Sequence, residues 1–254
     1  MHRTRLLIST RTLPIRNLPI LKCGATRVRN LMYLLDHGHP YAQPRKIHGQ
    51  HDAFPKASDF GLTHTGIAAQ EHAFVVMRHP TRRFLSLYFD KVMGDGTGRF
   101  KRMNQLLDKS KGFTRSPQTP LDHLKNCIAL ADVLEHSMQD TDYLPPNGHW
   151  AMQTLRLGVI KDCRLKVLLL ENLDAQLGAL LRDIVPDIDD HLSQLQGRNQ
   201  SVKPVDPQEL IIPALIDRIA EIYPRDQMLY EQAVDLWRGI DPLTATALDV
   251  PRLF

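Results

Sequence analysis

Two stretches gather the residues that could do chemistry: Lys22-Cys-Gly-Ala-Thr-Arg27 and Arg78-His-Pro-Thr-Arg-Arg83-Phe-Leu-Ser86. Around the first, Leu18, Ile20 and Leu21 read as a strand and the small residues Gly24 and Ala25 as a tight turn. Val28, Leu31, Met32 and Leu35 then keep the i, i+3, i+4, i+7 spacing of an amphipathic helix, with Thr26 as its expected N-cap. Such a turn aims free backbone N–H groups and the positive end of a helix dipole at one point. Lys22 and Arg27 flank that point with full charges, so the stretch is built to hold a phosphate. A strand–helix crossover that merely contains a Lys has the same outline.

The second stretch repeats this logic. Ala73-Phe-Val-Val-Met77 is an unbroken apolar run, the pattern of a strand buried on both faces of a parallel sheet. Thr81 to Val92 resumes at helical period through Phe84, Leu85, Tyr88 and Val92, and Arg82, Arg83 and Ser86 sit in its first turns, a second anion site. Neither stretch is an ordinary nucleoside-triphosphate loop. That motif places two glycines before a Lys and a hydroxyl after it; here Lys22 precedes a single Gly, so the magnesium-binding hydroxyl is missing.

The elements that must position these residues follow from the remaining pattern. Gly38 and Pro40 stop the first helix, and 41–70 reads as loop with a brief strand near Lys46-Ile-His48. The polar, basic 99–116 reads as an exposed, mobile segment, and Pro120 opens a helix through Leu134. Leu165–Leu170 is a third strand, Asp174–Ile184 a helix, and Asp187–Lys203 a polar stretch; Pro207–Ile222 and Arg225–Trp237 are the last helices. Strands spaced by helices predict an α/β fold, P-loop-like, with three layers: a central parallel sheet and helices on both faces. One domain over 1–254 is expected, its core about 12–237.

With 254 residues, 43% hydrophobic and 24% charged, the chain has ample apolar material for a folded core. A net charge of +4 without long runs of one sign suits a small anionic ligand better than nucleic acid. Three cysteines with no C-x-x-C pair indicate neither a disulfide framework nor a zinc site, and His48, His51, His64 and His72 match no usual metal spacing, so no metal is expected. No apolar run is long enough to span a membrane, and a cytoplasmic protein is expected.

Together the two stretches resemble the nucleotide signatures of the sulfotransferases that use 3′-phosphoadenosine 5′-phosphosulfate (PAPS), most closely the carbohydrate (family 2) group. The resemblance continues through His149-Trp150-x-x-Gln153, Leu169-Leu-Glu-Asn-Leu173, Asn199-x-Ser201 and Tyr223-Pro-Arg-Asp226, covering about residues 18–235. The Pro that usually precedes the Lys is Leu21 here, and Ala25 stands where Ser or Cys is common.

The resemblance implies direct transfer of a sulfuryl group from PAPS to a hydroxyl of a carbohydrate or glycan-bearing acceptor, leaving 3′-phosphoadenosine 5′-phosphate (PAP). Lys22 would neutralise the leaving phosphate, and backbone N–H groups of Cys23, Gly24, Ala25, Thr26 and Arg27 would hold the 5′-phosphate. Arg78 and Ser86 would take the 3′-phosphate; Arg83 either touches the nucleotide or braces the sheet through a carboxylate. Arg198 and Ser201 would close over the nucleotide. His48, with His51 beside it, falls where the general base is expected, although an exposed loop histidine reads the same way. Trp150 is either a stacking surface or a core anchor. The rival readings are an inactive PAP-binding protein of the same fold and a P-loop-like kinase.

Overall fold

The computed structural model describes residues 3–49, 52–94, 100–197 and 203–253. Its strands are β1 (Ile8–Ser9), β2 (Arg16–Leu18), β3 (Ala73–Met77) and β4 (Lys166–Leu169). The helices of the first half are α1 (Ala25–His37), α2 (His64–Ala68), α3 (Pro80–Leu87), α4 (Lys101–Asp108) and α5 (Pro120–Gln139). Those of the second half are α6 (Gln153–Gly158), α7 (Leu173–Leu181), α8 (Ile188–Gln194), α9 (Pro213–Ile222) and α10 (Pro224–Trp237). They fall into two compact units. One comprises Met1–Arg78, Gln153–Gln200 and Leu229–Phe254, the other His79–Met152 and Ser201–Met228.

The first unit carries a four-stranded sheet in the order β1-β2-β3-β4. Every residue of β3 is buried, which an uninterrupted apolar run requires, and it pairs in parallel with β2 and β4. Val75, opposite Leu18 on one side and Val167 on the other, marks the register. The fold is the expected α/β type, a mostly parallel sheet with helices around it. The exception is β1, which pairs antiparallel with β2 because the short connection between them cannot carry a parallel crossover.

Two polar devices finish the sheet. Lys166, 1% exposed, meets Glu71 at 3.0 Å and donates to the Ala247 carbonyl. The chain's last segment runs along β4: Val167 N–H donates to Pro251 O at 2.8 Å and Leu253 N–H to Leu165 O at 2.9 Å. That pairing covers a strand edge that would otherwise present unpaired backbone groups.

The second unit is helical, with Phe84, Leu87, Tyr88, Leu107, Leu130, Leu134, Leu215 and Ile219 in its own apolar cluster. Buried apolar residues thus form two clusters, one per unit. Helix α5 starts on a capping box, Thr119 with Asp122, and carries Pro120 in its first turn as expected.

Four sequence expectations need correction. The segment 99–116 is not merely an exposed loop: α4 turns Met103, Leu106 and Leu107 inward at helical spacing, which the surrounding basic residues mask. Lys46-Ile-His48 lies in a 3-10 turn, Pro44–Gly49, rather than a strand. The polar stretch after Asp187 holds α8, with Ile188 and Leu192 buried. The helix after β3 begins at Pro80, capped by the His79 ring accepting from Thr81 N–H, and widens to a π-turn at Tyr88–Val92. No helix among the described residues is long and apolar enough to cross a membrane.

In the helical unit the Tyr88 hydroxyl and His123 Nδ1 lie 2.7 Å apart, and Asn126 reaches the same hydroxyl at 3.4 Å. Burial holds the His123 imidazole below its ordinary value, opposed by Asp122. A histidine depressed in the folded state contributes stability above its unfolded pKa, about 6.5, and loses it as pH falls below that value. The melting temperature of the wild type is therefore expected to fall more steeply than that of His123→Gln between about pH 7.5 and 5.5. Parallel melting curves across that range would exclude His123 as the group responsible.

Candidate functional site

The site begins where β2 feeds α1. Cys23 N–H donates to Ile20 O at 3.2 Å, closing a turn, and the residues on either side of Cys23 have left-handed backbones: Lys22 at φ 69° and Gly24 at φ 74°. A positive φ costs little for glycine but about 1 kcal/mol for a side-chain-bearing residue, so Lys22 is held in a conformation that something else must sustain. Gly24 is also close-packed: a Cβ there would lie 2.7 Å from Leu170 Cδ1 and 3.3 Å from Leu173 Cδ2. A side chain at 24 would have to displace the Leu170 methyl as well as accept the positive φ.

Gly24 is itself the N-cap of α1, with no side-chain cap bond. This corrects the reading of Thr26 as the cap. The first intrahelical bond runs from Val28 N–H to Gly24 O at 3.0 Å, so the N–H groups of Gly24, Ala25, Thr26 and Arg27 precede it and have no intrahelical partner. These are the donors an anion would use; Cys23 N–H, expected to be among them, is spent on Ile20 O.

Thr26 is freed for another task. Its Oγ1 lies 2.6 Å from His48 Nε2, and the 3-10 turn carrying His48 is fastened to α1 by Asn30, whose Nδ2 donates to Thr26 O at 2.8 Å and Pro44 O at 3.2 Å. Ile47, fully buried, anchors the same turn. His48 is thus a half-buried neighbour of the loop, not a histidine dissolved in solvent.

Arg27 does not flank the turn with a free charge. Its guanidinium is paired with the Asp174 carboxylate, Nε to Oδ1 at 3.1 Å and NH2 to Oδ2 at 2.7 Å, and it also donates to Leu192 O. It fastens α1 to α7 and α8, and with 170–175 it lines an open hollow.

Arg78, at the end of β3, donates from NH1 to Lys22 O at 3.1 Å, so the two cations singled out in separate motifs are brought together. The link between the motifs is Gln153, fully buried at the start of α6. Its Oε1 accepts from Arg78 N–H at 3.1 Å and from the Cys23 thiol at 3.0 Å, while its Nε2 donates to Arg78 O at 2.9 Å. Sequence reasoning reached Gln153 as part of the resemblance but gave it no role; a buried amide four residues after His149 carries no local signal.

The other expected residues belong to the helical unit or fall elsewhere. Arg83 is 4% exposed on α3 and donates to Gly148 O at 3.1 Å, and with Tyr223, His149 and Asp226 it lines a small hollow of that unit. Burial pushes the Tyr223 phenol up, against the pull of the Arg83 guanidinium. Arg83 is thus packed and hydrogen-bonded within the helical unit. Ser86 is half-buried on α3, and Trp150 is a core anchor whose carbonyl accepts from the Tyr223 hydroxyl at 2.8 Å. Arg198, Ser201 and His51 lie outside the described residues. The three cysteines are buried free thiols.

A strand end, a turn with a left-handed Lys22, a helix start without a side-chain cap and the Arg78 guanidinium bonded to the Lys22 carbonyl thus lie together in the sheet-bearing unit. The sulfotransferase family model matches residues 6–231, most of the chain and both signature stretches, and the chain belongs to that family. No curated protein and no solved structure matches it significantly.

Replacing Gln153 by Ala removes the bonds it makes to the half-buried Arg78 N–H and carbonyl. Because an unsatisfied buried polar group costs about 1–3 kcal/mol, Gln153→Ala should lower the melting temperature by roughly 5–10 °C in a chain of this size. A loss below about 1 °C in calorimetry would show that the clasp contributes little.

Proposed function

We propose that this sulfotransferase takes its sulfuryl group from PAPS and delivers it to a hydroxyl of a carbohydrate or glycan-bearing acceptor. The observation that carries the reading is the 3.1 Å bond between the Arg78 guanidinium and the Lys22 carbonyl, which joins the two motifs beside the four N–H groups that precede the first intrahelical bond of α1. The close packing at Gly24 fits the same reading, since it lets the backbone itself be the binding surface. When bound, the donor supplies an activated sulfuryl group on a phosphate leaving group.

The chain's own residues divide the work. The N–H groups of Gly24, Ala25, Thr26 and Arg27 bind the 5′-phosphate oxygens, replacing water with fixed dipoles. Lys22, held by its backbone in a strained turn, presents its ammonium where negative charge builds as the bond to sulfur breaks. Arg78 serves twice: it props the Lys22 carbonyl and takes the 3′-phosphate, which distinguishes this nucleotide from ATP.

His48 is the general base. Its proximity to Thr26, 2.6 Å from ring nitrogen to hydroxyl, supports a position at the edge of the phosphate turn, where an acceptor hydroxyl must give up its proton. Imidazole suits the task because its ordinary pKa lies near neutrality.

PAP should raise the melting temperature by several degrees while ATP with magnesium leaves it nearly unchanged; equal shifts would favour a kinase. Lys22→Ala should lower turnover by about 10²–10³-fold with the melting temperature close to wild type, and His48→Asn by about 10²–10⁴-fold. Near-normal turnover in Lys22→Ala, measured with labelled donor against a glycan panel, would overturn the leaving-group role.

A further inference from the structure

Three buried polar groups at the start of the sheet-bearing unit have no part in the site described above. Thr4 is 2% exposed in the 3-10 turn Arg3–Leu6, Ser9 0% on β1 and Arg16 6% on β2. Among the described residues, Thr4 Oγ1, Ser9 Oγ and Arg16 Nε each lack a hydrogen-bond partner. Buried polar atoms are nearly always paired, so three orphans in neighbouring elements call for a physical reason.

Strand pairing and packing bring them together. Ser9 stands opposite Arg16 in the antiparallel register. The Ser9 N–H donates away from β2, to Pro55 O at 2.8 Å, and the Arg16 N–H away from β1, to His72 O at 3.0 Å. Ser9 and Arg16 are therefore the narrow kind of antiparallel pair, with Cα atoms about 4.5 Å apart and side chains on one face of the sheet. The Arg16 guanidinium lies over the Phe60 ring, 4.7 Å from its centroid, in the 3-10 turn Ala57–Phe60. That turn hangs on β1 through Ala57 N–H to Leu7 O at 3.1 Å, and Arg3–Leu6, which carries Thr4, packs against it. Phe60 is exposed, so the corner lies near the surface.

The chemistry of the corner favours an anion. Arg16 NH1 donates to Leu13 O at 3.0 Å and Ile15 O at 2.8 Å, both neutral, and among the described residues its guanidinium has no ion pair. Asp36 acts on it from beyond contact, opposing the burial that holds the guanidinium below its ordinary value. The Asp36 carboxylate is itself engaged by Arg11 N–H, Thr12 N–H and the Thr12 hydroxyl. Ser9 and Arg16 can both offer a hydrogen, one from an O–H and one from a charged N–H, and a single ion that only accepts satisfies both. The narrow cross-strand spacing suits one atom better than a branched oxyanion. We propose that Ser9 and Arg16 hold a halide ion, chloride in ordinary buffers, which fastens the β1–β2 hairpin to the turns carrying Thr4 and Phe60. The site stands apart from the sulfotransferase reading and does not depend on it.

The test uses the full chain. Exchanging sodium gluconate for sodium chloride at constant ionic strength should raise the melting temperature saturably, by roughly 5–10 °C at a hundredfold excess over the dissociation constant, and bromide should act alike. Ser9→Ala, which leaves the charge in place, should raise the half-saturating chloride concentration roughly tenfold, and Arg16→Gln should abolish the response. Lys22→Ala should keep the full response; a response lost with Lys22 places the anion in the phosphate turn and overturns the proposal. Crystals grown in sodium bromide should show an anomalous peak within hydrogen-bonding reach of Ser9 Oγ and Arg16 Nε. Density there without an anomalous signal identifies a water and overturns the halide. A wild type indifferent to chloride, or Ser9→Ala and Arg16→Gln responding as fully as wild type, overturns it as well.

Discussion

One buried carboxamide sets the geometry on which the phosphate turn depends. Gln153 satisfies both backbone groups of Arg78 and the Cys23 thiol at once, so the end of β3 and the turn after β2 cannot move independently. Parallel pairing brings the two strands to the same end of the sheet, but pairing stops at Leu18 and Met77, short of the residues that do chemistry. Beyond that point side-chain hydrogen bonds must take over from the ladder. Arg78 adds the last of them by bonding the carbonyl of Lys22, the residue whose backbone carries strain.

The distribution of charge around the turn follows from the same economy. Arg27 is adjacent to Lys22 in the motif, yet its guanidinium is committed to Asp174, so local positive charge near the uncapped helix rests on Lys22, Arg78 and the backbone dipoles. Backbone donors are fixed in direction and cannot lose their partial charge to a neighbouring carboxylate. Thr26, released from capping, turns instead to His48, and Asn30 secures the segment that carries it. Thr26, Arg27 and Asn30 therefore have separate duties within α1's first two turns.

Features governed by short-range rules were legible in the sequence. Ala73–Met77 could be read as a buried parallel strand because five consecutive apolar residues leave no face for water, and Gly38 could be read as a helix stop because its left-handed backbone suits glycine. Lys22 and Arg78 could be singled out as candidates because a cation at a strand end before a helix is a local pattern, and the structure bonds one to the other's carbonyl. What failed depended on distance. Thr26 looks like a cap until Gly24 takes that position; Arg27 looks available until Asp174, 147 residues away, claims it. Gln153 acquires meaning only through partners 75 and 130 residues away. Helix α4 was hidden differently: its inward residues are spaced correctly, but basic neighbours dominate the composition.

The tail that runs along β4 gives the boundary of the homologous region an unexpected status. The family match ends at residue 231, but Pro251 and Leu253 supply the hydrogen bonds that complete the sheet, and Ala247 receives the buried Lys166 ammonium. Evolutionary and mechanical limits of the module therefore differ by some twenty residues, and an excision made at the former would leave a sticky ribbon, ready to recruit a neighbouring molecule as its missing partner.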